Sequence, residues 1–360
     1  MDATSHQDSA ESSPATWRAQ LRTLGCRLNQ LETERVADGL AARGFELISA
    51  THKGHTGQER ARQQPSTPAA DVVIINGCTV TRSADRKSRQ TLRQAVRSTL
   101  RRDRHAREDV AVIVTGCFAE SLQSARLADD VIGDPRVVLV DNDRKHLIPD
   151  IAESLMRGEW LDPSTLPGDR FGFGGSVPGR FGFGSSVPGP APPIRHYART
   201  RAMIKIQDGC DNRCSFCIIP EVRGAAVSRS LSAIRSEAEA LRAAGERELV
   251  LTGVNMARWR DGGARIGDLL QSLLELPGTD YRIRLSSMEP GRHILNANAQ
   301  LAHPRVARHL HVCLQSGSPR ILRAMRRSPD VDAFRHLADQ LRHIDPLYNL
   351  TTDVIIGFPG

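Results

Sequence analysis

Aromatic residues are scarce in this chain: they make up 4% of its 360 residues, which argues against an array of stacking platforms for unpaired bases. It has no run of about 18 apolar residues, so no segment reads as a membrane-spanning helix. The N-terminal stretch MDATSHQDSAESSPAT is polar and acidic and lacks the basic start and apolar centre of a secretory signal. Seven cysteines, an odd number in a long chain, do not make the even framework of a disulfide-stapled domain. The twelve histidines show no HxxxH-type spacing, so no separate histidine metal site is expected. Unpaired thiols suit a reducing compartment, and a cytoplasmic location is expected.

Three of the cysteines lie close together, as Cys210-x-x-x-Cys214-x-x-Cys217 in KIQDGCDNRCSFC. Three thiolates at that spacing can hold three irons of a [4Fe–4S] cube and leave the fourth open to a ligand. A zinc site more often shows paired C-x-x-C units with a fourth ligand, and an electron-carrier ferredoxin supplies more cysteines.

The formal net charge is +8, and the stretch 82–107 carries all of it. Ten basic residues (among them Arg86, Lys87, Arg89, Arg93, Arg97 and Arg101) stand there against Asp85 and Asp103. Leu92, Val96 and Leu100 recur every fourth residue, so a helix with one narrow apolar stripe and otherwise basic faces is expected. So one-sided a charge favours a polyanion, RNA above all, over a plain solvated helix.

The length suits two domains. Residues 17–50 read as strand, loop and helix, the helix ending at Gly44. The runs 71–76, 110–115 and 137–141 read as buried parallel strands alternating with helices, giving an open α/β sheet. Residues 51–69 are polar and read as an insertion. Eight Gly and seven Pro fall within 163–193, together with the tandem decapeptides RFGFGGSVPG and RFGFGSSVPG at 170–189; a linker over 151–195 is expected. A second α/β series follows, with strands expected at 202–207, 248–253, 281–286, 309–314 and 351–356, and a helix carrying Leu231, Ile234, Ala238 and Leu241 on one face. Five such repeats suggest a partial (β/α) barrel with its ligands at the C-terminal strand ends. The expected organisation is a disordered tail at 1–16, a first domain at 17–150, the linker, and a second domain at 196–360.

Cys26, Cys78 and Cys117 each follow an expected strand. In an open α/β sheet the carboxyl ends of the strands converge on one crevice, so the three could hold a second cube. Position alone leaves that reading and three buried structural thiols equally open.

The motifs TLGCRLNQLETE, INGCTVT, TGCFAE, KIQDGCDNRCSFCIIPEVRG, LTGVN, RLSSMEP, LQSGS and TDVIIGFPG together resemble the radical S-adenosylmethionine methylthiotransferases over about 18–143 and 199–360. Among the branches, GCDNRCSFCIIP with LTGVN and RLSSMEP is most similar to the MtaB type, which modifies N6-threonylcarbamoyladenosine next to the tRNA anticodon. The resemblance implies that Cys26, Cys78 and Cys117 ligate a first [4Fe–4S] cluster that donates or presents sulfur. It implies that Cys210, Cys214 and Cys217 ligate a second, which binds S-adenosylmethionine and cleaves it by one-electron reduction to a 5′-deoxyadenosyl radical. The implied partners are a tRNA substrate and an external electron donor. The implied reaction places a methylthio group at adenine carbon 2, an unactivated C–H that acid–base chemistry does not replace and cofactor radical chemistry does.

Weaker expectations follow from position. Asn255, Ser287, Glu289, Gln315 and Ser316 stand at or just after expected strand ends, where barrel ligands gather, and Gly357 could let backbone approach the cofactor. Arg223 matches a family position, which leaves a place near phosphate or cofactor and a plain surface residue equally open, and Cys313 is expected as an inward core residue. Family barrels continue past GFPG into a further strand and a small RNA-binding domain, so this chain reads as C-terminally truncated. Three readings compete: the tRNA enzyme; the same chemistry on isopentenyladenosine or a ribosomal protein; and a non-catalytic iron–sulfur protein that binds RNA or senses redox state.

Overall fold

The structure, a computed structural model, describes residues 16–49, 70–100, 111–124, 134–170 and 201–360 except 329. The tail at 1–15, the insertion at 51–69, Arg101 and all of the duplication beyond Arg170 lie outside the described residues.

The apolar runs of the first domain lie side by side. β1 (Arg18–Thr23), β2 (Glu46–Ser49), β3 (Val72–Asn76), β4 (Ala111–Thr115) and β5 (Val137–Leu139) form a parallel sheet in the order β2-β1-β3-β4-β5. β3 and β4 are buried along their whole length because both sheet faces are covered, which is why they read as unbroken apolar runs. The strand period of two divides them between two cores. Val72 and Ile74 face α1 (Arg27–Ala41) and α4 (Ile148–Met156), meeting Val36, Leu40, Ile148 and Ile151. Val73 and Ile75 face α2 (Arg82–Leu100) and α3 (Cys117–Ser124), meeting Leu92, Val96, Phe118 and Leu122. Leu92 and Val96 of the expected apolar stripe are therefore the part of the basic helix that seals the sheet.

Two details differ from the sequence reading. Gly44 does end the turn after α1 with a positive φ of 80°, but Glu46–Ser49 then form β2, a short edge strand too small to announce itself. The linker expected from residue 151 would begin inside α4. Ile148, Ile151, Ala152 and Leu155 make a helical stripe against the sheet, and the chain stays on that core as far as Leu166.

The second domain starts with β6 (Ala202–Asp208), α5 (Ile219–Arg223), β7 (Val227–Ser228), α6 (Leu231–Ala243), β8 (Glu248–Gly253), α7 (Ile266–Leu274) and β9 (Arg282–Leu285). It continues with α8 (Arg292–Leu295), α9 (Asn298–Ala302), β10 (His309–His311), α10 (Pro319–Ala324), α11 (Val331–Ile344) and β11 (Asn349–Thr351). β6, β8 and β9 are parallel neighbours, with the two-residue β7 antiparallel at the β6 edge. β10 and β11 form a separate parallel pair, and single bridges, Ile283 to Val306 and Met288 to Val312, carry the arc across from β9. Ile234 and Leu241 of α6, Leu269 and Leu273 of α7, and Leu337 and Leu341 of α11 pack against the strands around the fully buried Trp259. This is the arc of a partial barrel. Its last two strands are shorter than expected: beyond them the apolar runs pair only through isolated bridges such as Gln315 to Val354, and Ile356 is 88% exposed.

The domains touch through α1, whose Leu31 packs with Met203 and Val250. No described helix is long and apolar enough to cross a membrane.

Candidate metal centres

The order of the first sheet reverses direction between β1 and β3, which opens a crevice beyond their carboxyl ends. β1, β3 and β4 end at Thr23, Asn76 and Thr115, and Cys26, Cys78 and Cys117 follow at once. Cys26 caps α1, and Cys117 begins α3. The loops are pressed together: a Cβ on Gly25, whose φ is +103°, would stand 2.5 Å from Cβ and 2.9 Å from Sγ of Cys78. Buried Asn29 ties them, donating from Nδ2 to the carbonyls of Leu24 (2.9 Å) and Gly77 (3.1 Å). The hydroxyl of Ser88 donates to the Cys78 carbonyl (2.8 Å) and accepts from its amide (3.0 Å).

Burial pushes the Cys78 and Cys117 thiols up from their ordinary range, and the nearby Cys26 adds to this at both. Buried Cys78 and Cys117 resist ionisation, and a metal centre is what deprotonates such thiols outright. The donor set therefore suits a thiolate-bound cluster.

Behind the triad lies a buried charge network spanning both domains. Glu32 accepts from Lys145, from Lys205 (3.1 Å) and from both terminal nitrogens of Arg223 (3.1 and 3.2 Å). Asp208 takes Lys205 (2.6 Å) and Arg223 (3.1 Å). Burial alone would raise the Glu32 carboxyl, but Arg223, Lys145 and Lys205 overcome it and hold the group well below the ordinary carboxylate range. Burial lowers Lys145, against the pull of Glu32. Three cations thus meet two carboxylates. The surplus positive charge has an outlet: Arg223 Nε donates to Cys117 Sγ at 3.2 Å, so a thiolate there completes neutrality.

The second triad occupies the loop after β6. Gly209 is required there: its φ is +68°, and a Cβ would stand 2.0 Å from the Ala225 carbonyl oxygen. That close approach lets the Cys210 amide donate to the Gly224 carbonyl (3.1 Å). Gly209→Ala is expected to break this close approach and displace Cys210, and iron analysis with absorption of the reconstituted protein should then show less bound iron than the native chain holds. Sulfur Sγ of Cys210 accepts from the Asn212 amide (3.4 Å) and faces Asn255 Nδ2 (3.9 Å); Arg327 Nη1 lies 3.8 Å from Cys214 Sγ. Burial raises the Cys214 and Cys217 thiols. Glu289 joins the group, accepting from Asn212 (2.8 Å), Asn255 (2.7 Å) and Arg327 (3.0 Å).

The expected ligand positions therefore divide. Asn255 and Glu289 meet beside Cys210. Gln315 stands at the strand-end turn with φ +69°, its amide donating to the Asp353 carbonyl (2.8 Å), and buried Ser316 accepts from the Ser318 amide (3.2 Å). Ser287 and Gly357 are exposed. Cys313 is not a core residue but half-buried, and it shares a strand-end cluster with His311 and Asp353 whose donor atoms all lie within 4.8 Å of one another. Spacing rules along the chain do not detect a group assembled from two strands. His311 is engaged on both ring nitrogens, by Thr351 Oγ1 (3.0 Å) and Asp353 (3.3 Å), and burial pushes the Cys313 thiol up to about 11. Arg223, for which a place near phosphate or cofactor and a plain surface position were equally open, is buried and lies against Cys117. Glu32, Lys145, Lys205, Asp208 and Arg327 escaped sequence reasoning; only the place of Asp208 and Lys205 inside KIQDGC hinted at a role.

On α2, Arg86, Lys87, Arg93 and Arg97 are exposed, whereas Arg89 pairs with Asp85 (2.8 Å) and lies over the Phe118 ring. A cavity of about 580 Å³ joins Arg82, Arg86 and Arg89 to Thr79 beside Cys78 and to Ile218 beside Cys217.

Residues 18–133 match Uncharacterized protein family UPF0004, and residues 204–360 match the Radical SAM superfamily. The chain is 32% identical over 348 residues to the threonylcarbamoyladenosine tRNA methylthiotransferase MtaB of Thermotoga maritima, covering 95% of this chain and 68% of that one. It is 30% identical over 349 residues to a tRNA-2-methylthio-N(6)-dimethylallyladenosine synthase of Cereibacter sphaeroides, covering 94% and 69%. The radical S-adenosylmethionine methyltransferase TsrM of Kitasatospora setae shares the fold at a TM-score of 0.57 and 16% identity, over 96% of this chain and 68% of that one. With two cysteine triads on adjoining strand ends and relatives of this kind along nearly its whole length, the chain belongs to the radical S-adenosylmethionine methylthiotransferases.

Proposed function

We propose that this methylthiotransferase acts in the cytoplasm on a tRNA and modifies carbon 2 of N6-threonylcarbamoyladenosine next to the anticodon. The observation that supports this reading is the packing of the segments that carry the two triads: α3, which begins at Cys117, lies against α5, which follows Cys217. A sulfur-delivery site beside a radical-generating site is what such a transfer needs, since reacting groups must be held within contact of one another.

Cys26, Cys78 and Cys117 would hold one [4Fe–4S] cluster, and Cys210, Cys214 and Cys217 a second with a ligand position left for S-adenosylmethionine. When bound, these groups supply a transferable sulfur and the one-electron reduction that makes a carbon radical. Asn212, Asn255 and Arg327 fix the Glu289 carboxylate beside Cys210, where it can accept from the amino group of S-adenosylmethionine. Ser287, Gln315, Ser316 and Gly357 border the same strand ends as further cofactor contacts. Exposed Arg86, Lys87, Arg93 and Arg97 present a row of charge to tRNA phosphates, and the cavity at the start of α2 leads from that row to both cysteine loops. An external electron donor completes the set of partners.

The choice of nucleoside follows the relative at 32% identity and the wording of the cluster loop. The second reading, isopentenyladenosine, is favoured by a relative of almost equal similarity named for dimethylallyladenosine. Nucleoside mass spectrometry of tRNA from a deletion strain decides between them. Loss of the methylthio form of N6-threonylcarbamoyladenosine is expected. Loss of the isopentenyl counterpart instead would establish the second reading, and an unchanged profile would remove both.

A further inference from the structure

Arg223 belongs to the segment that follows one cysteine triad, yet its side chain ends at the other. It is 3% exposed, and all three of its nitrogens are engaged. Nη1 donates to Glu32 (3.1 Å) and Asp208 (3.1 Å), and Nη2 to Asn29 Oδ1 (2.8 Å) and Glu32 (3.2 Å). Those partners leave Nε one direction, toward Cys117 Sγ at 3.2 Å. The guanidinium cannot turn away: Glu32 and Asp208 are themselves buried and held by Lys145 and Lys205, and Asn29 is pinned between two loop carbonyls. Its backbone is equally fixed, because the adjoining Gly224 carbonyl accepts from the Cys210 amide.

We propose that Arg223 is a positioning residue that sets the reduction potential of the cluster held by Cys26, Cys78 and Cys117, through its N–H···S bond to Cys117. The proposal rests on the reading that this triad ligates a cluster. A charged donor on a thiolate ligand stabilises the more negative, reduced form, and hydrogen bonds to ligand sulfurs are among the factors that set iron–sulfur potentials.

The test uses the full chain with Cys210, Cys214 and Cys217 all replaced by alanine, so that only the first centre is observed. Redox titration followed by electron paramagnetic resonance gives its midpoint with Arg223 intact, in Arg223→Lys and in Arg223→Gln. Lysine keeps the charge but not the planar fork that aims Nε at sulfur. At equal iron content, both variants are expected to shift the midpoint to more negative potential, by about tenfold or more in the reduced-to-oxidised ratio, which is ~59 mV for one electron. A purely structural role would lower iron content or melting temperature without moving the midpoint. An unchanged midpoint at about four irons per chain overturns the proposal and leaves the cluster reading intact. Loss of iron in both variants also overturns it, by making the residue structural. Absence of iron with Arg223 intact overturns the reading on which it rests.

Discussion

Cys210→Ala is expected to halve the iron of the reconstituted protein, from about eight to about four per chain, and to abolish release of 5′-deoxyadenosine on reduction. The two effects have one cause. Cys210 follows the buried end of β6, and its amide is held by Gly224 while its sulfur faces Asn212 and Asn255. A cube missing one of three thiolates has no other cysteine in this loop to take its place. Cys26→Ala is the contrasting case: iron should again fall by half, but reductive cleavage of S-adenosylmethionine should persist, because the radical site is untouched. Iron near four in the native protein, unaltered by Cys26→Ala, would refute a second centre.

Glu32→Gln is expected to destabilise the protein by about 3–5 kcal/mol, the range for removing one partner from a buried ion network. The amide would face Lys145, Lys205 and Arg223 without charge. Denaturant unfolding at neutral pH measures the loss. The pH dependence gives a second reading. The folded Glu32 carboxyl is held well below its ordinary value, so the unfolded chain binds the proton more readily. Its contribution is therefore complete above the unfolded carboxyl value of about 4.3 and fades as the pH falls through the folded one. Stability of the native protein should drop below about pH 4.3, and that acid limb should be flatter in Glu32→Gln. Equal acid limbs in the two proteins would show that Glu32 does not carry this linkage.

The cysteines and their strand ends were legible in the sequence because each signal is local: DVVIIN before Gly77-Cys78, AVIVT before Gly116-Cys117, and a triplet inside thirteen residues. Local patterns also marked the buried stripes of α2 and α6. The charge network was not legible. Glu32 and Arg223 are 191 residues apart in the chain, and Glu32 and Lys145 are 113 apart. A single charged residue in a helix or loop carries no mark of burial. β2 and β7 were missed because four- and two-residue edge strands have too little pattern to register. β11 was placed too late because the apolar run of 354–356 signals hydrophobicity but not which neighbour it pairs with. Cys313 was misread for a related reason: its companions His311 and Asp353 come from different strands, and only the β10–β11 pairing brings them together.

The division of labour around Glu32 governs how this protein can be built in the cell. In the order of synthesis, Cys26, Cys78 and Cys117 all emerge before Lys205 and Arg223. Until those two arrive, the carboxylate has only Lys145 beside it, and the crevice lacks the cation that faces Cys117. The crevice of the first triad is therefore encoded early but finished late, once the second domain has brought Lys205 and Arg223 to it.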